Sequence, residues 1–163
     1  YSGGSWDYQI TAAGYKYNLT DIAAAIGVEQ LKKAFQLQAQ RQKIAESYMQ
    51  GFKETCLELP SSSRSGMHSW HLFPIRLPLD GVLKRNEIIA KLAENGIGTS
   101  VHWRPLHEHK FYKDRTLGKC ADCPVATKEW HRLISLPIFP GMTESDVAAV
   151  INSVNFNLVD VLN

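Results

Sequence analysis

Apolar residues recur from Ile22 to Phe52 at steps of three and four: Ile22, Ala25, Ile26, Leu31, Ala34, Phe35, Ile44, Ala45, Tyr48 and Phe52. That spacing keeps them on one face of a helix, with a single drift of phase. Thr20 and Asp21 stand just before the stripe, where a hydroxyl or carboxylate can accept from the free first-turn amides. The pattern predicts a helix of some 30 residues, about 45 Å long at ~1.5 Å per residue. A small domain needs less for its own core. Either the helix breaks near Gly27, or its excess length serves a partner.

The rest of the chain is more finely punctuated. Tyr1 to Gly14 shows no sustained period and reads as an irregular lead-in holding at most one short strand. Leu59 to Gly66 (LPSSSRSG) is a turn-rich connector. Trp70 to Leu77 (WHLFPIRL) reads as a strand, with Pro74 assigning it to an edge or a bulge. Lys84 to Asn95 is a helix facing inward through Ile88, Ile89, Leu92 and Ala93, and Gly96 is suited to the position just past its end. Ile97 to Trp103 is predicted as a second strand, and Asp122 to Leu133 holds a short helix after Pro124. Ser135 to Pro140 is apolar and extended but too rich in proline for the middle of a sheet. Thr143 to Asp146 resembles a capping box opening a last helix with Val147, Val150, Ile151, Val154, Leu158 and Val161 on one face. The order of elements implies a small α/β or α+β layer on two or three strands.

Composition narrows the function classes. The 163 residues are 44% hydrophobic, enough for one ordinary domain with a real core. With 18 Lys and Arg against 16 Asp and Glu, the charge of +2 gives no reason to expect nucleic acid or an anionic membrane as partner. No apolar run approaches the roughly 18 residues of a bilayer span. Aromatics at 10% argue against disorder. Three cysteines are an odd count, which speaks against a disulfide framework and for a reducing, cytoplasmic compartment. The chain opens at Tyr1 without Met, basic n-region or cleavable apolar segment.

Three groups of residues could carry chemistry. His107, His109, Cys120 and Cys123 offer two imidazoles and two thiols, the donor mix zinc prefers. The histidines precede the thiols at an unusual spacing, and the alternative is a polar loop with two unrelated cysteines. His102 ends the predicted strand after Gly96-Ile97-Gly98-Thr99-Ser100-Val101, beside Trp103 and Arg104, and strand ends are where α/β layers meet ligands. In Gly14-Tyr15-Lys16-Tyr17-Asn18-Leu19-Thr20-Asp21, a cation and a carboxamide precede a helix N-terminus. Together with the free amides they could hold a phosphate; equally, the loop could pack its tyrosines on its own helix.

Four segments, GYKYNLTDIAAAIGVEQL, HSWHLFPIRL, ENGIGTSVHWRPLH and LISLPIFPGMTESD, occur in this order between about Trp6 and Val154. The set resembles the DegT/StrS-type sugar aminotransferases, pyridoxal-phosphate (PLP) enzymes that aminate keto groups on nucleotide-linked sugars. The resemblance implies the C-terminal domain of a fold type I aminotransferase: residues 1–53 as an interface loop and long linking helix, residues 54–163 as a small α/β domain. The large PLP-binding domain, with the lysine that holds PLP covalently, would precede this chain. Lys16 would not be that lysine, and no catalytic residue falls in this chain. The resemblance further implies a homodimer with its site at the interface, glutamate as amino donor and a nucleotide-sugar substrate. Lys16 and Asn18 fall on the family's amide and basic positions, with residue types exchanged, and as cofactor-binding residues would contact the PLP phosphate or the substrate in the neighbouring subunit's site. His102 and Trp103 fall on a His-Tyr pair near the sugar or its nucleotide, Trp103 lacking the phenol. The family pattern requires no metal. Two other readings are a zinc-bearing module built on the His/Cys set and a non-catalytic interaction subunit lacking the cofactor domain.

Overall fold

The computed structural model describes residues 12–61, 66–115 and 123–162, and the chain divides into two compact units, Tyr1–Ala34 and Phe35–Asn163. In the first unit, residues 13–20 carry neither helix nor strand, and α1 (Asp21–Gly51) begins after them. Thr20 is its cap: its Oγ1 accepts from the Ala23 amide at 3.3 Å and its carbonyl from Ala24 at 2.8 Å. The helix does not break at Gly27. A mid-helix glycine costs about 1 kcal/mol relative to alanine, too little to interrupt 31 residues. Ile22, Ile26 and Leu31 on this stretch are exposed.

The second unit holds the core. Ile44, Ala45, Tyr48 and Phe52, the second half of the apolar stripe, are buried together with Phe73, Ile75, Leu77, Ile134 and Leu136. Tyr48 sits edge-on to Phe73 at 5.0 Å and donates its phenol to the Pro137 carbonyl at 2.8 Å. Burial, with the Asp146 carboxylate nearby, pushes that phenol well above its ordinary range. The last helix, α5 (Glu144–Leu162), buries Val147, Val150, Val154, Leu158 and Val161 at three- and four-residue steps. Its predicted capping box forms. Asp146 Oδ2 accepts from the Thr143 amide at 2.8 Å, and Thr143 Oγ1 accepts from the Asp146 amide at 3.1 Å. Gly51 lets α1 and α5 approach: a Cβ there would meet Ile151 at 2.8 Å.

The sheet among the described residues has two antiparallel strands, β1 (Phe73–Arg76) and β2 (Leu133–Leu136), in register from Phe73 opposite Leu136 to Arg76 opposite Leu133. Arg76 exchanges both backbone bonds with Glu58, at 2.9 and 3.0 Å, on the side of β1 away from β2. Pro74 shares that orientation by alternation, so its missing N–H costs the β1–β2 ladder nothing. The strand is shorter than the sequence predicts because Trp70 adopts φ 46°, a left-handed turn unusual for a bulky side chain. Gln42 Oε1 accepts from its indole at 2.6 Å, and Gln38 binds the His68 carbonyl at 2.8 Å, tying the turn to α1.

Ile97 to Trp103 is not a second strand. Only Ser100 pairs with β2, exchanging bonds of 3.1 and 2.7 Å with Ser135. The next outward-facing position along β2 is Pro137, which has no N–H to extend the ladder. The helix predicted over Lys84 to Asn95 is α2 (Arg85–Glu94), preceded by a 3₁₀ turn over Leu79–Lys84 that the apolar spacing did not signal. Ile88 and Leu92 are buried as expected, whereas Ala93 is exposed. Gly96, at φ 75°, closes α2 while the Ile97 amide binds the Leu92 carbonyl at 2.8 Å. A further short helix, α3 (Lys110–Arg115), precedes α4 (Pro124–His131), the helix expected after Pro124.

Arg132, following α4, is buried and fully committed. It binds both Glu58 oxygens, Glu129 and the Leu77 carbonyl. Arg76 bridges the same two glutamates at 3.1 Å each. Hydrogen bonding from Arg132 holds the Glu58 carboxyl below the usual carboxylate range.

Candidate functional site

His102 lies where the chain leaves its one-residue pairing with β2. The Ser100–Ser135 bridge anchors the backbone two residues upstream, and the side chain folds back onto the same serines. Nδ1 pairs with Ser135 Oγ at 3.0 Å, and Nε2 lies 3.3 Å from Ser100 Oγ. Ser135 is itself buried, so the imidazole is held against a fixed wall. The ring borders a groove of about 240 Å³ whose walls include His71, Ser100, Ser135, Pro137 and Ile138. A lining that mixes imidazole and hydroxyl groups with proline and isoleucine suits a small polyhydroxylated ligand, which needs both polar partners and dry surface. The His102–Trp103 peptide is cis, and the Trp103 indole packs edge-on to His102 at 4.5 Å while remaining 76% exposed. The structure thus brings the His102 and Trp103 rings together, with His102 lining the groove, beside a single bridge and not at the end of a strand.

Lys16 and Asn18 belong to the other unit. Tyr15 and Tyr17 stack on each other at 5.5 Å and are both 85% exposed, so they do not pack down on α1. Lys16 and Asn18 are exposed, and among the described residues neither has a hydrogen-bond or ion-pair partner. Open donors from an ammonium and a carboxamide, ahead of a helix N-terminus, form a set that fits phosphate oxygens. The fit extends to a phosphate and no further; the loop offers nothing shaped to hold an aromatic ring system through its heteroatoms.

Within the His/Cys set, the His107 side chain has another partner. His107 Nε2 pairs with Thr127 Oγ1 at 2.8 Å, and Thr127 donates to Glu108 at 3.0 Å, joining the 106–109 turn to α4. Hydrogen bonds from Lys113 and Thr127 hold the Glu108 carboxyl below its usual range. The His109 carbonyl starts α3 by accepting from Tyr112 and Lys113 at 3.0 Å. Among the described residues no three His, Cys, Asp or Glu side chains gather as a metal site; Cys120 lies outside those residues.

A larger furrow of about 1000 Å³ opens between α1 and the start of α5, over Ile44, Met142, Val147 and Ile151. None of the sequence-predicted site residues lies in it. The residues the sequence reading missed are Ser100, Ser135 and His71 around His102. Ser135 left a trace: it is the lone polar residue in the apolar run Leu133-Ile134-Ser135-Leu136.

Residues 3–155 match the DegT/DnrJ/EryC1/StrS aminotransferase family. An uncharacterized protein of Methanocaldococcus jannaschii is 45% identical over 156 residues, covering 94% of this chain and 40% of that protein. The spore coat polysaccharide biosynthesis protein SpsC of Bacillus subtilis is 38% identical with the same coverage. A Streptococcus pneumoniae protein described as a sugar aminotransferase, solved in its PLP form, superposes with a TM-score of 0.86 at 30% identity over 99% of this chain and 41% of that one. The chain therefore spans about 40% of the length of the relatives it matches, and its small sheet and helices correspond to the C-terminal domain of sugar aminotransferases. On the match over residues 3–155, the chain belongs to the DegT/DnrJ/EryC1/StrS aminotransferase family.

Proposed function

We propose that this chain acts as the C-terminal part of a PLP-dependent aminotransferase that aminates a keto group of a nucleotide-linked sugar, with glutamate as amino donor. The observation that carries this reading is the likeness, over 99% of the chain, to a sugar aminotransferase solved in its PLP form. The relation to a polysaccharide biosynthesis protein supports a sugar substrate. The cofactor, when bound, supplies the electron sink that lets an amino group and a proton move at the substrate carbon.

This chain's own residues bind and orient. The Lys16 ammonium and the Asn18 carboxamide donate to the cofactor's phosphate, fixing its position from the loop ahead of α1. His102, its ring set by Ser135, holds a sugar hydroxyl in the groove, and Trp103 covers the sugar with an apolar face. The lysine carrying the proton steps lies in the longer protein, so the chain alone is inactive. The site is completed in a homodimer: Tyr15, Tyr17, Leu19, Ile22 and Ile26 form an exposed apolar run in the unit that carries the phosphate-binding loop. We further propose a reducing, cytoplasmic compartment; the odd cysteine count of this chain is what supports that reading.

The test is the longer protein incubated with PLP, glutamate and nucleotide-linked keto sugars, with products read by mass spectrometry. Amino sugar and 2-oxoglutarate in equal amounts are expected. A PLP-loaded protein that turns over glutamate with non-sugar keto acids and with no keto sugar would overturn the substrate class.

A further inference from the structure

The structure contains two pairs of arginines treated in opposite ways. Arg76 and Arg132 share Glu58 and Glu129, so their charges are matched. Arg85 and Arg104 share an indole. The Arg104 guanidinium carbon lies 4.9 Å from the centre of the Trp130 ring and that of Arg85 lies 5.5 Å from it. Their charges are therefore no more than about 10 Å apart, and among the described residues no carboxylate pairs with either. Arg85 is pinned by the Trp130 carbonyl at 2.8 Å and by the Asn86 side chain at 2.9 and 3.1 Å. Arg104 makes no hydrogen bond among the described residues, so its fork of donors is open. Stacking on the ring holds each guanidinium in place but leaves its charge intact, and like charges at this range repel. An anion bound at this cluster would offset the repulsion and take up the unused Arg104 N–H groups in paired, planar contacts.

We propose that Arg85, Trp130 and Arg104 form a binding site for a phosphate or diphosphate group. Trp103 separates Arg104 from His102 in the chain, so the cation pair and the His102 groove are approached within three consecutive residues. A nucleotide-linked sugar placing its sugar in that groove would extend its diphosphate along this stretch; that extension rests on the proposed function, whereas the anion site does not.

The probe is inorganic pyrophosphate, titrated at constant ionic strength into the 163-residue chain labelled with 5-fluorotryptophan and followed by ¹⁹F NMR. The Trp130 resonance is expected to shift saturably while that of the buried Trp70 stays fixed. Arg104→Gln, at an exposed position, should weaken binding about tenfold or more, with Arg104→Lys intermediate. A Trp130 resonance that does not saturate by about 10 mM, where one or two charge-assisted contacts would register, overturns the site. So does an Arg104→Gln chain that binds as before. A second titration with uridine 5′-diphosphate separates the sources. Tighter binding that also moves Trp103 marks the nucleotide part of a substrate, and equal binding without it marks a free phosphate anion; either outcome supports the anion site itself. Because the probes undergo no reaction, failure here is distinct from failure of the aminotransferase reading.

Discussion

Two stretches of one helix carry the same kind of apolar stripe and meet different fates. Ile44, Ala45 and Tyr48 are buried against the sheet and α5, while Ile22, Ile26, Leu31 and Phe35 are 60% exposed or more. Periodicity states that a face is apolar; it does not state whether this chain supplies what covers it. The later stretch is a core element. Under the proposed function the earlier one is contact surface for the longer, dimeric protein, and its neighbouring Lys16 and Asn18 have open donors for the same reason: what they serve is on another body.

Stability measurements can break that contrast. The largest effect is expected from Tyr48→Ala, which empties the space beside Phe73 and removes the bond to Pro137. Chemical denaturation of the chain should show a loss of about 3–5 kcal/mol. Tyr48→Phe keeps the ring and should cost about 1 kcal/mol. A comparable loss, about 1 kcal/mol, is expected when Thr143→Ala removes the cap of α5. The smallest effect belongs to the exposed stretch: Ile26→Ala should change the chain's unfolding free energy by no more than about 0.5 kcal/mol. The same variant should weaken self-association of the longer protein in sedimentation. A loss at Ile26 as large as that at Tyr48 would erase the distinction between the two stretches.

The cap also carries a pH signature. Hydrogen bonds from Thr143 hold the Asp146 carboxyl below its ordinary value. A group depressed in the folded state contributes stability above its unfolded pKa, and that contribution disappears as pH falls through the folded value. Asp146→Asn should therefore flatten the acid side of the chain's stability profile below about pH 4, the ordinary aspartate range, and leave the neutral side parallel to wild type. An unchanged acid limb would remove Asp146 from the account of α5.

Local signals were legible in the sequence where the cause is local. Thr20, Gly96, Pro124 and the Thr143–Asp146 pair each act within one turn, and each marks the boundary it was expected to mark. The family, too, was legible, because four segments in a fixed order run through most of the stretch that matches it. What failed was pairing. Ile97 to Trp103 has the residue types of a strand, but whether it becomes one depends on which groups β2 leaves open, and Pro137 removes a donor on one side of Ser135. The fixing of His102 was hidden for the same reason: Ser135 is 33 residues away, and only the antiparallel bridge brings it within 3.0 Å. Arg85, Arg104 and Trp130 come from three segments with no shared period.

The central claim is a division of labour: Lys16 and Asn18 hold the cofactor's phosphate, and His102 holds the sugar. It is tested most directly by comparing two variants of the longer protein, Lys16→Ala/Asn18→Ala and His102→Ala, for PLP retention and for KM toward the nucleotide-linked sugar. The double variant should lose PLP affinity by about tenfold or more, the effect of one or two charge-assisted contacts. His102→Ala should keep PLP and raise KM by a similar factor. A His102→Ala protein that sheds PLP while the loop variant retains it would contradict the assignment.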